Sequence, residues 1–281
     1  MKLLRYGDEG QEKWGILDGQ GQIRTLEDAL IHVTGEEMTL DWLAQLQKLE
    51  PETLPILKAE HRIGACIPRP RNFVCIGLNY ADHAAETGAK APKEPIVFLK
   101  SLSAFCGPYD DVIIPPGSEK TDWEVELGVV IGAKASRVSE DAALDYVAGY
   151  AVVNDVSERH WQVERGGSWD KGKGADHFGP VGPWMVTKDE VADPQMLKLF
   201  CEVDGRMMQD GTTANMIFGV KTLVSYVSQF ITLYPGDIIA TGTPAGVGMG
   251  QKPNPIFLRP GQSLRLGVEG LGEQRSKTVG G

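Results

Sequence analysis

The amino-acid sequence predicts a mainly β fold with a few helices. Short runs rich in Val, Ile and aromatic residues recur along the chain, bounded by Gly, Pro and Asn or Asp. Few segments carry a helical apolar period, and strands do not alternate with helices, which argues against a Rossmann sheet or a TIM barrel. A chain of 281 residues exceeds the usual size of one compact domain, so one large core with a small appended unit is expected.

From Lys2 to Ile23, LLRYG and WGILDGQGQIRT read as short strands separated by polar and Gly-rich turns. Between Met38 and Leu57, Leu40, Leu43, Leu46 and Leu49 fall at helical intervals, and Pro51 and Pro55 interrupt them, so short helices are expected. The segment CIPRPRNFVCIG then runs as an extended linker into a buried strand, FVCIG. The boundary is set near residue 65, giving a small β-rich N-terminal domain over 1–65 and a larger domain over 66–281. Beyond it come strand-like runs: IVFLK at 96–100, VIIP at 112–115, VELGVVIG at 125–132 and YAVVNDV at 150–156, then GPWMV, LFCEVDG, DIIATGT and QSLRLGVEG. Two amphipathic helices interrupt the series. One opens with Ser139 as N-cap of EDAALDYVAG; the other spaces Val220, Leu223, Val224, Val227, Phe230 and Ile231 along one face.

A formal charge of -10 offers no basic stripe for a nucleic-acid backbone or an anionic lipid surface. Neither nucleic acid nor membrane is expected as a partner. An acidic chain that handles an anionic metabolite must supply local positive charge through a lysine, an arginine or a bound cation. Cys66, Cys75, Cys106 and Cys201 are scattered without a C-x-x-C pair, the pattern of reduced, cytoplasmic thiols. No window approaches the ~20 apolar residues needed to span a bilayer.

The most informative run is TDWEVELGVVIG. Glu124 and Glu126 are separated by one residue in a strand-like context, so the period of two puts both carboxylates on one face. Two anionic groups held together beside apolar residues are satisfied by a cation or by shared protons, and hard oxygen donors select Mg²⁺, Mn²⁺ or Ca²⁺ over zinc. Taken alone, an E-x-E pair is more often found on the solvent face of an edge strand. A second run, GYAVVNDVSERH, ends in Asp155, which can complete a set of three or serve as a turn or N-cap aspartate.

Five strings occur in order: GLNYADHAAE (77–86), DWEVELGVVIG (122–132), NDVSER (154–159), GKGAD (172–176) and TGTPAGVG (241–248). Together they resemble the fumarylacetoacetate hydrolase family over about residues 66–281. The resemblance implies a mixed β-sandwich roll, a homodimer, and a divalent metal, Mg²⁺ or Mn²⁺, held by Glu124, Glu126 and Asp155. The first 65 residues resemble the extra domain of a bacterial branch that includes hydrolases of 2,4-dioxo-3-deoxy sugar acids. The implied reaction is metal-dependent C–C hydrolysis of a 2,4-dioxo acid to pyruvate and a hydroxy acid. Oxaloacetate decarboxylation and isomerisation of 2-hydroxyhepta-2,4-diene-1,7-dioate are alternatives at the same site, as is a catalytically silent 2-oxo-acid-binding protein.

Within this frame His83 and Glu86, three apart and on one face if helical, form a candidate general-base dyad on a lid, flanked by the polar, Gly- and Pro-containing TGAKAPKEP. His160 and His177 are rival bases. Lys173 matches the family lysine that supports the enolate or the substrate carboxylate, whereas its neighbour Lys171 does not match. Thr243, among glycines after a strand, with Tyr80 and Gln209, are candidate substrate contacts. The Gly-rich run around Thr243 lacks the spacing of a phosphate-binding loop.

Overall fold

The computed structural model describes residues 1–58 and 60–281. A nine-stranded sheet forms the spine. Its strands are β1 (Lys2–Tyr6), β2 (Lys13–Leu17), β3 (Ile23–Thr25), β4 (Phe73–Gly77), β5 (Ile96–Leu99), β9 (Val125–Ile131), β10 (Val147–Asn154), β13 (Met185–Thr187) and β16 (Ile238–Ala240), in the order β3-β2-β1-β13-β10-β9-β16-β4-β5. A five-stranded sheet, β15-β14-β17-β18-β7, is built from β7 (Val112–Ile114), β14 (Lys198–Val203), β15 (Arg206–Thr212), β17 (Ser263–Val268) and β18 (Gly272–Gly280). Two short ribbons pair β6 (Phe105–Cys106) with β12 (Gly179–Pro180) and β8 (Thr121–Asp122) with β11 (Ser157–Glu158). Both large sheets are mixed: β4 with β16 and β7 with β18 run parallel, while the remaining pairs in them are antiparallel. The helices are α1 (Glu27–Leu30), α2 (Leu40–Leu46), α3 (Ala81–Thr87), α4 (Arg159–Val163), α5 (Asp170–Lys173) and α6 (Val220–Phe230).

The central strands β9 and β10 are buried along their whole length because the nine-stranded sheet is covered on both faces, as near-continuous apolar runs require. Odd positions of β9, Val125, Leu127, Val129 and Ile131, join Leu199, Cys201, Leu264 and Leu266 of the second sheet in one core cluster. On the other face Val130 of β9 packs with Ala151 and Val153 of β10 and with Trp42 and Phe73 in a second cluster. The first three strands extend the same sheet through β1 and β13, and Leu3, Trp14 and Ile16 belong to that second cluster.

One sequence expectation needs correction, and the structure adds one strand that the sequence does not suggest. No long helix follows Ser139: only a 3-10 turn, Ala143–Tyr146, forms before β10 begins at Val147. Pairing of residues 147–154 with β9, and of Gly149 and Tyr150 with β13, outweighs the local helical spacing. Strand β18 lacks an apolar stripe because its inward positions include Gln274 and Thr278, both buried. The Gln274 amide donates to the carbonyls of Val152, Pro180 and Gly182, tying the two sheets together. Among the described residues no helix is long and apolar enough to cross a membrane.

Candidate metal centre and substrate pocket

Strand parity brings the acidic residues together. Even positions of β9 turn away from the inter-sheet core, so Glu126, and Glu124 just before the strand, point to the face that carries Val130. In β10 the odd positions Ala151 and Val153 share that face, and Asp155 continues the alternation just past the strand end. Register pairs Glu126 with Val153, and the Asp155 N–H donates to the Glu124 carbonyl at 2.9 Å, so the three carboxylates meet at one end of a rigid strand pair. One ligand oxygen from each lies within 4.8 Å of the other two, and all three residues are buried.

Cations surround this cluster unequally. Lys173, on α5, places Nζ 2.6 Å from Glu124 Oε2 and 2.7 Å from Asp155 Oδ2. Arg159 places Nη1 2.7 Å from Glu124 Oε1 and Nε 2.8 Å from Asp122 Oδ2. Burial opposes ionisation of Glu124, but Lys173 and Arg159 outweigh it and hold its carboxyl down at about 2. Glu126 has the opposite fate: burial, then Asp155 and Glu124, push its carboxyl well above the ordinary range, with Lys173 and the Gly242 N–H, at 2.8 Å, in partial opposition. Glu124 and Glu126 are therefore shifted in opposite directions, because of the two only Glu124 pairs directly with Lys173 and Arg159.

A hard divalent cation fits this donor set. Lys100 Nζ lies 2.6 Å from Asp155 Oδ1 but directs its hydrogen bonds to the carbonyls of Val156, Lys173 and Phe178, leaving that buried oxygen without a hydrogen bond. Three buried carboxylates, of which Glu126 has no salt-bridge partner among the described residues, form a set of hard oxygen donors that a divalent cation would complete.

His83 and Glu86 do share one face of α3, with Nδ1 and Oε2 3.4 Å apart. Asn79 fixes the helix entry by exchanging hydrogen bonds with Phe218 and donating to the Thr241 carbonyl. Both Glu86 oxygens accept the Gly246 N–H, at 3.0 and 3.1 Å, so α3 is docked on the loop after β16. A Cβ on Gly250 would collide with the Glu86 carboxyl carbon, which explains the glycine there.

Beside the carboxylates lies a cavity of about 200 Å³ whose walls include His83, Glu124, Glu126, Lys173 and Thr243. Thr243 Oγ1 donates to the Val125 carbonyl at 2.8 Å and accepts from Gln209 Nε2 at 2.7 Å. Gln209 and Tyr80 are completely buried and are absent from the cavity wall. The Gln209 amide is committed to Val125, Thr243 and Pro244, so it positions Thr243 from behind. The rival histidines stand elsewhere: His160 is exposed and pairs with Glu164, and His177 bonds the Asp111 carbonyl.

Sequence reasoning missed four contributors. Arg159 and Gln162 line the cavity from α4, and Arg159 Nη2 is buried with no hydrogen-bond partner; the NDVSER string contained the arginine, which was the available signal. Lys100, at the end of β5, and Trp169, before α5, carry no local mark of function.

A model of the fumarylacetoacetate (FAA) hydrolase C-terminal family matches residues 72–279. The chain belongs to the fumarylacetoacetate hydrolase family. A relative from Burkholderia cenocepacia, provisionally named a hydrolase, is 61% identical over 278 residues, 99% of each chain. Among solved structures, 2-hydroxyhepta-2,4-diene-1,7-dioate isomerase from Mycobacterium marinum is 31% identical with a TM-score of 0.76, covering 100% of this chain and 98% of that one. Maleylpyruvate hydrolase from Sphingobium sp. SYK-6, solved with manganese(II) and pyruvate, is 27% identical with a TM-score of 0.80, covering 100% of both chains. The family fold is the mixed two-sheet arrangement expected from the sequence motifs.

Proposed function

We propose that this family member hydrolyses a C–C bond of a 2,4-dioxo acid, using Mg²⁺ or Mn²⁺, to give pyruvate and a carboxylic acid. The observation that carries this reading is the convergence of Glu124, Glu126 and Asp155 beside Lys173 and His83 at one cavity. A cation held by the three carboxylates would chelate the carboxylate and keto oxygens of the substrate and act as a Lewis acid. The complex of the maleylpyruvate hydrolase with manganese and pyruvate supports that assignment.

The chain's own residues supply the remainder. His83 offers the ring nitrogen not turned to Glu86 as the acceptor for a proton from water attacking C4, and Glu86, anchored by Gly246, holds the ring. Cleavage of the C3–C4 bond then leaves the acid on one fragment and the enol of pyruvate on the other. Lys173 provides fixed positive charge where that electron pair arrives, and Arg159 Nη2 provides a buried donor for an anionic oxygen. A 2,4-dioxo-3-deoxy sugar acid is one member of this substrate class. Homodimer formation in the cytoplasm is proposed with it, and sedimentation equilibrium tests the oligomer.

Release of pyruvate from acylpyruvates and dioxo sugar acids by Mg²⁺-loaded protein, followed with lactate dehydrogenase, is the test; no release from any of them overturns the hydrolase reading. The isomerase relative supports a second reading, isomerisation of an unsaturated 2-oxo diacid or decarboxylation of oxaloacetate, in which no water attacks. Turnover that survives His83→Ala favours that reading. Tight oxalate binding with no turnover of any substrate favours a silent binding protein.

A further inference from the structure

The carboxylates and their cations account for one part of the cavity wall, and much of the rest is apolar. Leu78, Ala89, Phe98, Val163, Trp169 and Met249 line that part, drawn from five separate stretches of the chain. Trp169 is the largest of them and packs against two neighbours. Its ring meets Phe98 edge-on, with centroids 5.4 Å apart and planes inclined at 64°. It also lies so close over Gly77, at the end of β4, that a Cβ there would fall on the ring. Phe98 in turn lies beneath Lys173, whose Nζ is 5.3 Å from the ring centroid.

Part of the polar wall is already engaged. The Thr87 hydroxyl donates to the His83 carbonyl, Thr243 is committed to Val125 and Gln209, and Gln162 Oε1 accepts from Arg159, whose Nη2 is left as a donor beside the carboxylates. The side chains of Phe98, Trp169 and Met249 offer the hydroxyls of a polyhydroxy tail no hydrogen-bond partner, whereas an apolar tail would gain about four-fold in affinity per buried methylene.

Building on the 2-oxo-acid reading, we propose that the substrate carries an apolar, planar or alkyl tail beyond C4, and that Trp169, held by Gly77 and Phe98, is the residue that selects it. Within the 2,4-dioxo acids, the polyhydroxy tail of a sugar acid is disfavoured by the same wall. Trp169 acts on specificity, so its effect falls on the ratio between ligands.

The test is calorimetric titration of the full chain with saturating Mg²⁺, using 2-oxo acids that cannot be cleaved at C3–C4: 2-oxo-4-phenylbutanoate and a 3-deoxy-2-oxohexonate. The phenyl ligand is expected to bind about 30-fold or more tightly than the hexonate. Trp169→Ala should cut that ratio at least about ten-fold, and Gly77→Ala, which displaces the ring, should cut it in the same direction. Equal or tighter binding of the hexonate overturns the inference, as does a ratio unchanged in Trp169→Ala. If either variant fails to fold, the wild-type ratio decides alone. A preserved ratio in a protein that cleaves no 2,4-dioxo acid would sink the hydrolase reading and leave this inference standing; cleavage of phenyl- and sugar-tailed substrates with equal kcat/KM would do the reverse.

Discussion

Replacing Glu124 or Glu126 with Gln, two residues apart on one strand, should move stability in opposite directions in the cation-free protein. Glu124 is held at about 2 against an ordinary value of 4.5, which corresponds to about 3 kcal/mol favouring its ionised form in the folded chain. A carboxylate lowered on folding contributes stability that is present above the unfolded value, near 4.5, and is lost as pH falls toward 2. Glu124→Gln at pH 8 therefore costs about 3 kcal/mol, or about 5 °C in Tm for a chain of this size, and leaves Lys173 and Arg159 short of a partner. Glu126 is raised on folding, so its contribution is full below about 4.5 and is lost as pH rises. Glu126→Gln keeps an oxygen for the Gly242 N–H and removes that loss, so Tm at pH 8 should hold or increase. Thermal unfolding of EDTA-treated wild type and both variants at pH 5.5 and pH 8 measures this. If Glu126→Gln is as destabilising at pH 8 as Glu124→Gln, the electrostatic description of the centre is wrong.

Cation binding should release protons, because the Glu126 carboxyl, shifted upward in the cation-free protein, must ionise to serve as a ligand; titration in buffers of different ionisation enthalpy reads the number, and none released contradicts the raised Glu126. His83→Ala should lower kcat for C–C hydrolysis by about 10²- to 10⁴-fold while leaving cation affinity within about three-fold, with stopped-flow kinetics and calorimetry as the paired readouts. Gly250→Ala should lower kcat by about ten-fold or more with a Tm near wild type, since the added methyl dislodges Glu86 and the α3 lid it anchors; unchanged kcat would remove Glu86 from the mechanism.

The Glu124 and Glu126 half of the carboxylate cluster was legible because strand parity is a one-dimensional property: the two share a face wherever that strand lies. Asp155 needed the register of β10 against β9, which the order of motifs supplied and the apolar runs did not. The His83 and Glu86 pair is local to one helix turn and was equally readable. Long-range contributors were not. Lys100 reaches Asp155 from the end of β5, 55 positions away in a run that reads only as a strand, and Trp169 reaches Gly77 across the sheet end. Gln209 and Tyr80 carried a polar group near the right motifs, but their side chains lie behind the cavity wall. In the fold, β18 escaped notice because polar side chains face inward there, and the segment after Ser139 misled because strand pairing outweighed its helical spacing.

The most direct measurement is an anomalous-difference map from a crystal soaked in Mn²⁺ and oxalate. A single strong peak bonded at about 2.1 to 2.3 Å to one oxygen each of Glu124, Glu126 and Asp155, with oxalate on its open side, is the predicted result. Manganese bound elsewhere, or a centre in which Lys173 still bridges Glu124 and Asp155 at full manganese occupancy, would contradict it.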